Sequence, residues 1–199
     1  MLDIPCVIFA GGKSSRMGED KALLPFAEFP TLAQYQLNKL SKIFQSVYIS
    51  CKSKENFDFL TENEQVNFIE DANKDLFAPT SAFISIFSQL NVEKFFAISV
   101  DTPFIDEQIM QTLLDQDSDS NDATVATLNE QIQPLCGIYH RSLLDSFVEM
   151  EKNNIHKLGY LLKKSNTKLV DSKNENKFLN LNTKEEYKKA LEIINTTLI

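Results

Sequence analysis

Histidine and cysteine are scarce in this chain, and their placement removes whole classes of chemistry. His140 and His156 are the only histidines, too few for a histidine-rich metal centre. Cys6, Cys51 and Cys136 stand far apart with no CxxC pair, which argues against a disulfide framework or a zinc site and predicts reduced thiols. No run of 18 apolar residues occurs, and residues 1–10 lack the basic segment of a signal peptide. These absences predict a soluble, cytoplasmic protein with no membrane partner. Positive charge is also in deficit: 20 Lys and Arg against 28 Asp and Glu leave a net charge of −8. A general nucleic-acid binder needs a basic face, so none is expected here. An anionic ligand would have to be held by local positive charge.

What is present suffices for an ordinary core. With 199 residues and 43% hydrophobic content, the chain is expected to form one domain, residues 1–199, without disulfides or structural metals. Short apolar runs alternate with helical patterns, the rhythm of a three-layer α/β domain with a mostly parallel central sheet. Cys6–Ala10 (CVIFA), Ser46–Cys51, Val66–Glu70, Phe95–Val100 and Ala123–Leu128 read as strands, and Phe178–Leu181 as a short one. Thr31–Phe44 places Ala33, Leu37, Leu40 and Phe44 on one helical face. Pro79 opens a helix carrying Phe83, Ile84, Phe87 and Leu90 on one stripe. Asp106 is read as the cap of a short helix reaching about Leu114. Arg141–Asn153 and Thr183–Ile194 complete the helical set, and Asp115–Asp122 is a solvated acidic loop.

In open parallel sheets the ligand lies outside the carboxyl ends of the strands. Three unusual segments fall there: Gly11–Lys21, Asp71–Pro79 and Asp101–Pro103. The first holds Gly11, Gly12 and Gly18, three of the chain's five glycines, interleaved with Lys13, Ser14, Ser15 and Arg16 and followed by Lys21. Glycine lets backbone N–H groups turn toward a ligand, and added cations suit such a nest to a polyphosphate. The loop is not a Walker A motif, because five residues separate Gly12 from Gly18 and Glu19 stands where lysine belongs. It does not fit GxGxxG either. The competing reading is a glycine turn with a solvated charged rim.

The stretch from Phe9 to Leu24, FAGGKSSRMGEDKALL, resembles the opening of the molybdenum cofactor nucleotidyltransferase family, (L)AGGxSxRMGxDKxLL. Further matches follow in order: Ile69-Glu70-Asp71, Asp101-Thr102-Pro103-Phe104, Gln133-Pro134 before a strand and helix, and Asn180-Leu181-Asn182-Thr183 before the last helix. The resemblance covers nearly the whole chain and implies a Rossmann-like fold. Gly11 and Asp20 fall on the side of the guanylyl-transferring members, which carry AGG and an Asp before the loop lysine. The implied reaction joins GMP from GTP to molybdopterin, releases pyrophosphate and uses Mg²⁺. Contact with cofactor-delivery or acceptor proteins goes with it. Cytidylyl transfer, sugar-1-phosphate nucleotidylyl transfer and a non-catalytic nucleotide- or molybdopterin-binding module stay open as alternatives. One departure stands out: a Gly-Pro-Leu-x-Gly run common in the family is replaced by Ala78-Pro79-Thr80-Ser81-Ala82-Phe83.

The resemblance assigns roles residue by residue. Phe9, Ala10, Gly11, Gly12, Lys21, Asp71 and Asp101 are the expected nucleotide-binding set. Lys21, Arg16 and Asp101 are the expected catalytic set. Asp101, at a strand's carboxyl end, is the expected Mg²⁺ ligand, since that ion takes one or two carboxylates plus substrate phosphates; a turn cap for Thr102-Pro103 is the other reading. Lys21 and Arg16 neutralise the triphosphate, or are solvated loop cations. Asp71 lies near the guanosine, or forms an Asx-turn. Asn180 and Asn182 would share one face of a strand and complete the metal and phosphate shell, or else cap the last helix. Cys136 reads as a small buried hydrophobe rather than a nucleophile. A base is expected to rest against Ala10-Gly11-Gly12, where alanine at Gly11 would intrude by a methyl group and disfavour a positive φ.

Overall fold

The central apolar runs are strands because they are long enough to cross a core and are buried on both faces. In the computed structural model, which describes residues 1–12, 18–61, 66–73 and 78–197, β1 is Cys6–Phe9, β2 Val47–Cys51, β3 Asn67–Glu70 and β4 Lys94–Ser99. They are followed by β5 (Ala123–Leu128), β6 (Gln131–His140) and β7 (Thr167–Ser172). These seven strands form one sheet in the order β3-β2-β1-β4-β6-β5-β7. β1 pairs in parallel with both β2 and β4, β2 with β3, and β5 with β7; β6 alone runs against its neighbours β4 and β5. The chain thus forms the mostly parallel, Rossmann-like α/β sheet expected of it.

Alternate residues of the central strands feed two cores. Cys6 and Ile8 of β1, with Phe96 and Ile98 of β4, face α1 (Leu32–Leu40), α4 (Glu107–Gln116) and α7 (Lys184–Thr197). Val7, Phe9, Phe95 and Ala97 face α3 (Pro79–Gln89), α5 (Leu144–Lys152) and α6 (Leu158–Lys164). A four-residue helix, α2, covers Asp58–Thr61. Helix starts follow the chemistry of their first residues. Thr31 Oγ1 accepts from Gln34 N at 3.2 Å, Asp106 Oδ1 from Ile109 N at 3.1 Å, and Pro79 opens α3. Thr183 and Glu186 cap α7 reciprocally: Thr183 Oγ1 accepts from Glu186 N, and Glu186 Oε2 accepts from the N–H groups of Asn182 and Thr183. No helix among the described residues is long and apolar enough to cross a membrane.

Several expected boundaries shift. The helix expected over Thr31–Phe44 ends at Leu40, and Phe44 is buried beyond it. Arg141–Leu143 is a 3-10 turn before α5, in which Phe147 and Met150 are buried. Phe178–Leu181 is not a strand: Glu175–Phe178 is a 3-10 turn, and Leu181 N donates to Asp101 O at 2.9 Å. Phe178 and Leu181 are apolar because both plug the core. β7 escapes the sequence pattern because it is an edge strand with a polar, exposed composition. Pro134 lies inside β6, but only where the pairing with β4 has ended past Cys136 and that with β5 is irregular, so its missing N–H costs no ladder bond there.

Gly137 is required by close packing between β6 and β5. A Cβ there would sit 2.5 Å from Thr124 O and 2.7 Å from Val125 Cα, backbone atoms that cannot swing aside. Gly137→Ala is expected to destabilise the fold by about 1–3 kcal/mol, the usual cost of overpacking. Thermal unfolding would read that as a midpoint lowered by roughly 2–12 °C.

Candidate active site

β1 has β2 on one side and β4 on the other, so its carboxyl end is where loops splay apart and leave a crevice. Gly11 and Gly12 leave β1 at this point. Asp20 then caps the 3-10 turn Lys21–Leu23 by accepting from Ala22 N at 3.0 Å, which aims Lys21 back at the sheet. Lys21 Nζ lies 2.8 Å from Asp101 Oδ2 and 2.7 Å from Asn182 Oδ1. Asp101 Oδ1 also accepts from Ser99 Oγ at 2.6 Å. With its amide nitrogen facing the carboxylate, as the surrounding donors and acceptors require, Asn180 donates to Asp101 Oδ1 at 2.6 Å. Leu181 N on the Asp101 carbonyl fixes both flanking asparagines. Asn180 and Asn182 therefore converge on the lysine–aspartate pair without forming a strand. Neither caps α7, whose hydroxyl cap is Thr183.

Asp71 is almost wholly buried, and its Oδ2 pairs with Lys52 Nζ at 2.7 Å. Its Oδ1 is buried with no hydrogen-bond partner among the described residues. Burial pushes the Asp71 carboxyl above its usual range, with Lys52 pulling the other way. Ala72 N, the next donor along the chain, goes to Ser85 Oγ at 2.9 Å. Gly11 faces this carboxylate: a Cβ on Gly11 would lie 3.8 Å from Asp71 Oδ2 and 3.7 Å from Cys51 Cα, ordinary contact distances. Gly11 does not have a positive φ, contrary to expectation; Gly18, at +78°, is the described glycine that does. Alanine at Gly11 would therefore fit the fold and intrude only into the space beside Asp71.

Two cavities meet at Asp101. One, of about 260 Å³, is lined by Gly11, Gly12, Lys52, Asp71 and Ala82 among others, with Phe9 at its wall. The other, of about 380 Å³, is lined by Gln133, Cys136, Leu158, Phe178, Asn180 and Asn182 among others. Pro79, Ser99, Asp101 and Leu135 line both. A small recess between them holds Ala10, Gly12, Lys21 and Asp101. A larger groove of about 720 Å³ lies between α4 and β7 and includes none of these residues.

The unusual Ala78–Phe83 segment is also explained. Phe83 points away from the crevice into an aromatic core, stacked on Phe147 at 4.5 Å, while Ala78, Pro79 and Ala82 line the smaller cavity. Cys136 is buried and its thiol is pushed up to about 12 by desolvation, so it is inert as a nucleophile. Arg16, with Lys13, Ser14, Ser15 and Met17, lies outside the described residues. Lys52 escaped the sequence reading; its only signal was a place one residue past a buried strand, and that strand's pairing with β1 is not visible locally.

A family model described as MobA-like NTP transferase domain matches residues 6–168. A Campylobacter jejuni subsp. doylei protein named molybdenum cofactor guanylyltransferase is 38% identical over 188 residues, covering 94% of this chain and 95% of the relative. Among solved structures, molybdopterin-guanine dinucleotide biosynthesis protein A from Archaeoglobus fulgidus superposes with a TM-score of 0.83 at 19% identity, covering 97% of this chain and 100% of that one. A Mycobacterium tuberculosis protein solved with manganese superposes with a TM-score of 0.69 at 13% identity, covering 96% and 98%. The chain belongs to the MobA-like NTP transferase family and is a nucleotidyltransferase.

Proposed function

We propose that this protein, acting as one domain, transfers GMP from GTP to molybdopterin and releases pyrophosphate, with Mg²⁺ as its metal and the cytoplasm as its place of work. The observation that carries the reading is the meeting of two cavities at Asp101. Nucleotidyl transfer needs the α-phosphorus between a nucleotide and an acceptor, and positioning with charge neutralisation supplies most of the catalysis. The cavity beside Asp71 takes the nucleoside. Guanine presents adjacent N1–H and N2 amino donors, which suit a carboxylate with an unpartnered oxygen; cytosine presents an acceptor, N3, beside its amino group. The cavity beside Asn180 and Phe178 takes the acceptor. Lys21, and Arg16 with it, neutralise the phosphates and the departing pyrophosphate.

The donor set fits Mg²⁺ in one respect and limits it in another. Asp101 and the Asn182 carbonyl offer hard oxygen ligands beside the phosphate recess. No group of three or more His, Cys, Asp or Glu gathers among the described residues, so a metal held by Asp101 would take its remaining ligands from water and substrate phosphates. Bound there, the ion would withdraw charge from the α-phosphate.

The test is pyrophosphate release with GTP or CTP, in the presence of molybdopterin or a sugar 1-phosphate. Turnover is expected with GTP and molybdopterin, and equal specificity constants for GTP and CTP would overturn the guanylyl reading. Gly11→Ala is expected to fold normally and to lower kcat/KM for GTP selectively, by roughly 10–200-fold, the scale of one misfitting methyl group.

A further inference from the structure

We propose that Gln36 of α1 is a positioning residue that sets the direction of Asp101 for the transfer reaction, by gripping the main chain on both sides of it. Gln36 is fully buried, an uncommon place for a glutamine, yet it does not spend its amide on its own helix. Its Nε2 donates to the carbonyls of Ser99 at 3.3 Å, Val100 at 3.3 Å and Thr102 at 3.2 Å. These residues bracket Asp101. The grip comes at a cost, because the Gln36 Oε1 is buried without a hydrogen-bond partner among the described residues. A core filler would not need the amide, and a leucine or methionine of similar length would avoid that orphan.

One turn along the same helix, Lys39 Nζ donates to Pro103 O at 2.7 Å and Ile105 O at 3.0 Å. Burial pushes the Lys39 ammonium down to about 7, with Cys6, Asp106 and Cys136 pulling up and Lys177 adding to the fall. Two side chains of α1 thus hold five carbonyls between residues 99 and 105. The same helix anchors the other half of the site, since Leu32 N donates to Leu24 O at 2.7 Å just after the Lys21 turn. α1 is therefore the common frame on which Lys21 and Asp101 are set 2.8 Å apart. Because the Asp101 carbonyl accepts from Leu181 N, a shift of this turn also carries Asn180 and Asn182 with it.

The inference rests on the reading of Asp101 as part of the reaction centre. Gln36→Met keeps length and helix preference but removes both donors. It is expected to fold, to leave KM for GTP within about twofold, and to lower kcat on the order of 10²-fold, the scale of a misplaced catalytic group. Amide hydrogen exchange should quicken in peptides covering 99–105 and 179–183, a change that loss of core filling alone would not confine there. Lys39→Met, which frees only the far half of the turn, should lose less in kcat. Wild-type kcat in Gln36→Met, or a loss that follows only the unfolded fraction, overturns the proposal. Should Gln36→Met not fold, Gln36→Asn keeps the amide on a shorter stem that cannot span all three carbonyls; unchanged kcat there overturns it equally. If the wild-type protein releases no pyrophosphate with GTP, the functional reading fails, and the exchange comparison still decides whether Gln36 orders Asp101 and the 179–183 segment.

Discussion

Asp101→Asn is expected to reduce metal-supported turnover by on the order of 10³-fold or more while leaving the fold intact. The change is nearly isosteric, so Ser99 Oγ can still donate to the remaining carbonyl oxygen, and the contact between Leu181 N and the main chain is untouched. What is lost is the one carboxylate among the described residues that faces both cavities. A divalent cation at a phosphoryl group is worth several kcal/mol of transition-state stabilisation, and each 1.36 kcal/mol is a factor of ten. The asparagine also leaves the Lys21 ammonium 2.8 Å from a neutral group instead of an anion. The measurement is kcat against Mg²⁺ concentration, with circular dichroism to confirm folding. A folded Asp101→Asn protein turning over at nearly the wild-type rate would remove Asp101 from the metal site.

Lys21→Ala is the second large effect expected. Asp101 and Asn182 both accept from this ammonium, so the side chain is already positioned at the recess that the phosphates would enter. On the proposed reading, a bound nucleotide would offer the lysine phosphate oxygens in place of its carboxylate partner, and Asp101 would be left to hold the cation. Removing one preorganised charge partner of a transition state costs on the order of 10²–10³ in rate. Lys21 and Asp101 are mostly buried, with side-chain accessibilities of 14% and 16%, but without the lysine Asp101 keeps Ser99 Oγ and Asn180 as donors, which limits the stability lost with the pair. Activity should therefore fall far more than the melting temperature does. Unchanged kcat and KM for GTP in Lys21→Ala would reduce the glycine loop to a simple turn.

Much of this was written locally. The glycine loop, the strand-end Asp101 and the alternation of apolar runs with helical faces need only neighbouring residues to be read, because backbone preference and burial period act over a few positions. The same locality misled at Phe178–Leu181, where two apolar residues signal core plugs rather than a strand, and at β7, an edge strand with too little burial to leave a pattern. Asn180 and Asn182 were legible as functional candidates, although the strand invoked to align them does not exist.

Residue chemistry and local periodicity thus determined which groups the protein can offer: a basic glycine loop, an acidic strand end, and inert buried thiols. Tertiary structure alone decided which of them meet. Lys21 reaches Asp101 across 80 positions of sequence and Asn182 across 161, and Lys52 faces Asp71 only because β2 lies beside β3. Gln36 is an unremarkable helical glutamine until α1 is laid under the turn after β4. Such pairings follow from the order of strands in the sheet, which is set by crossover connections and the closing of two cores, and no short stretch of sequence carries that order.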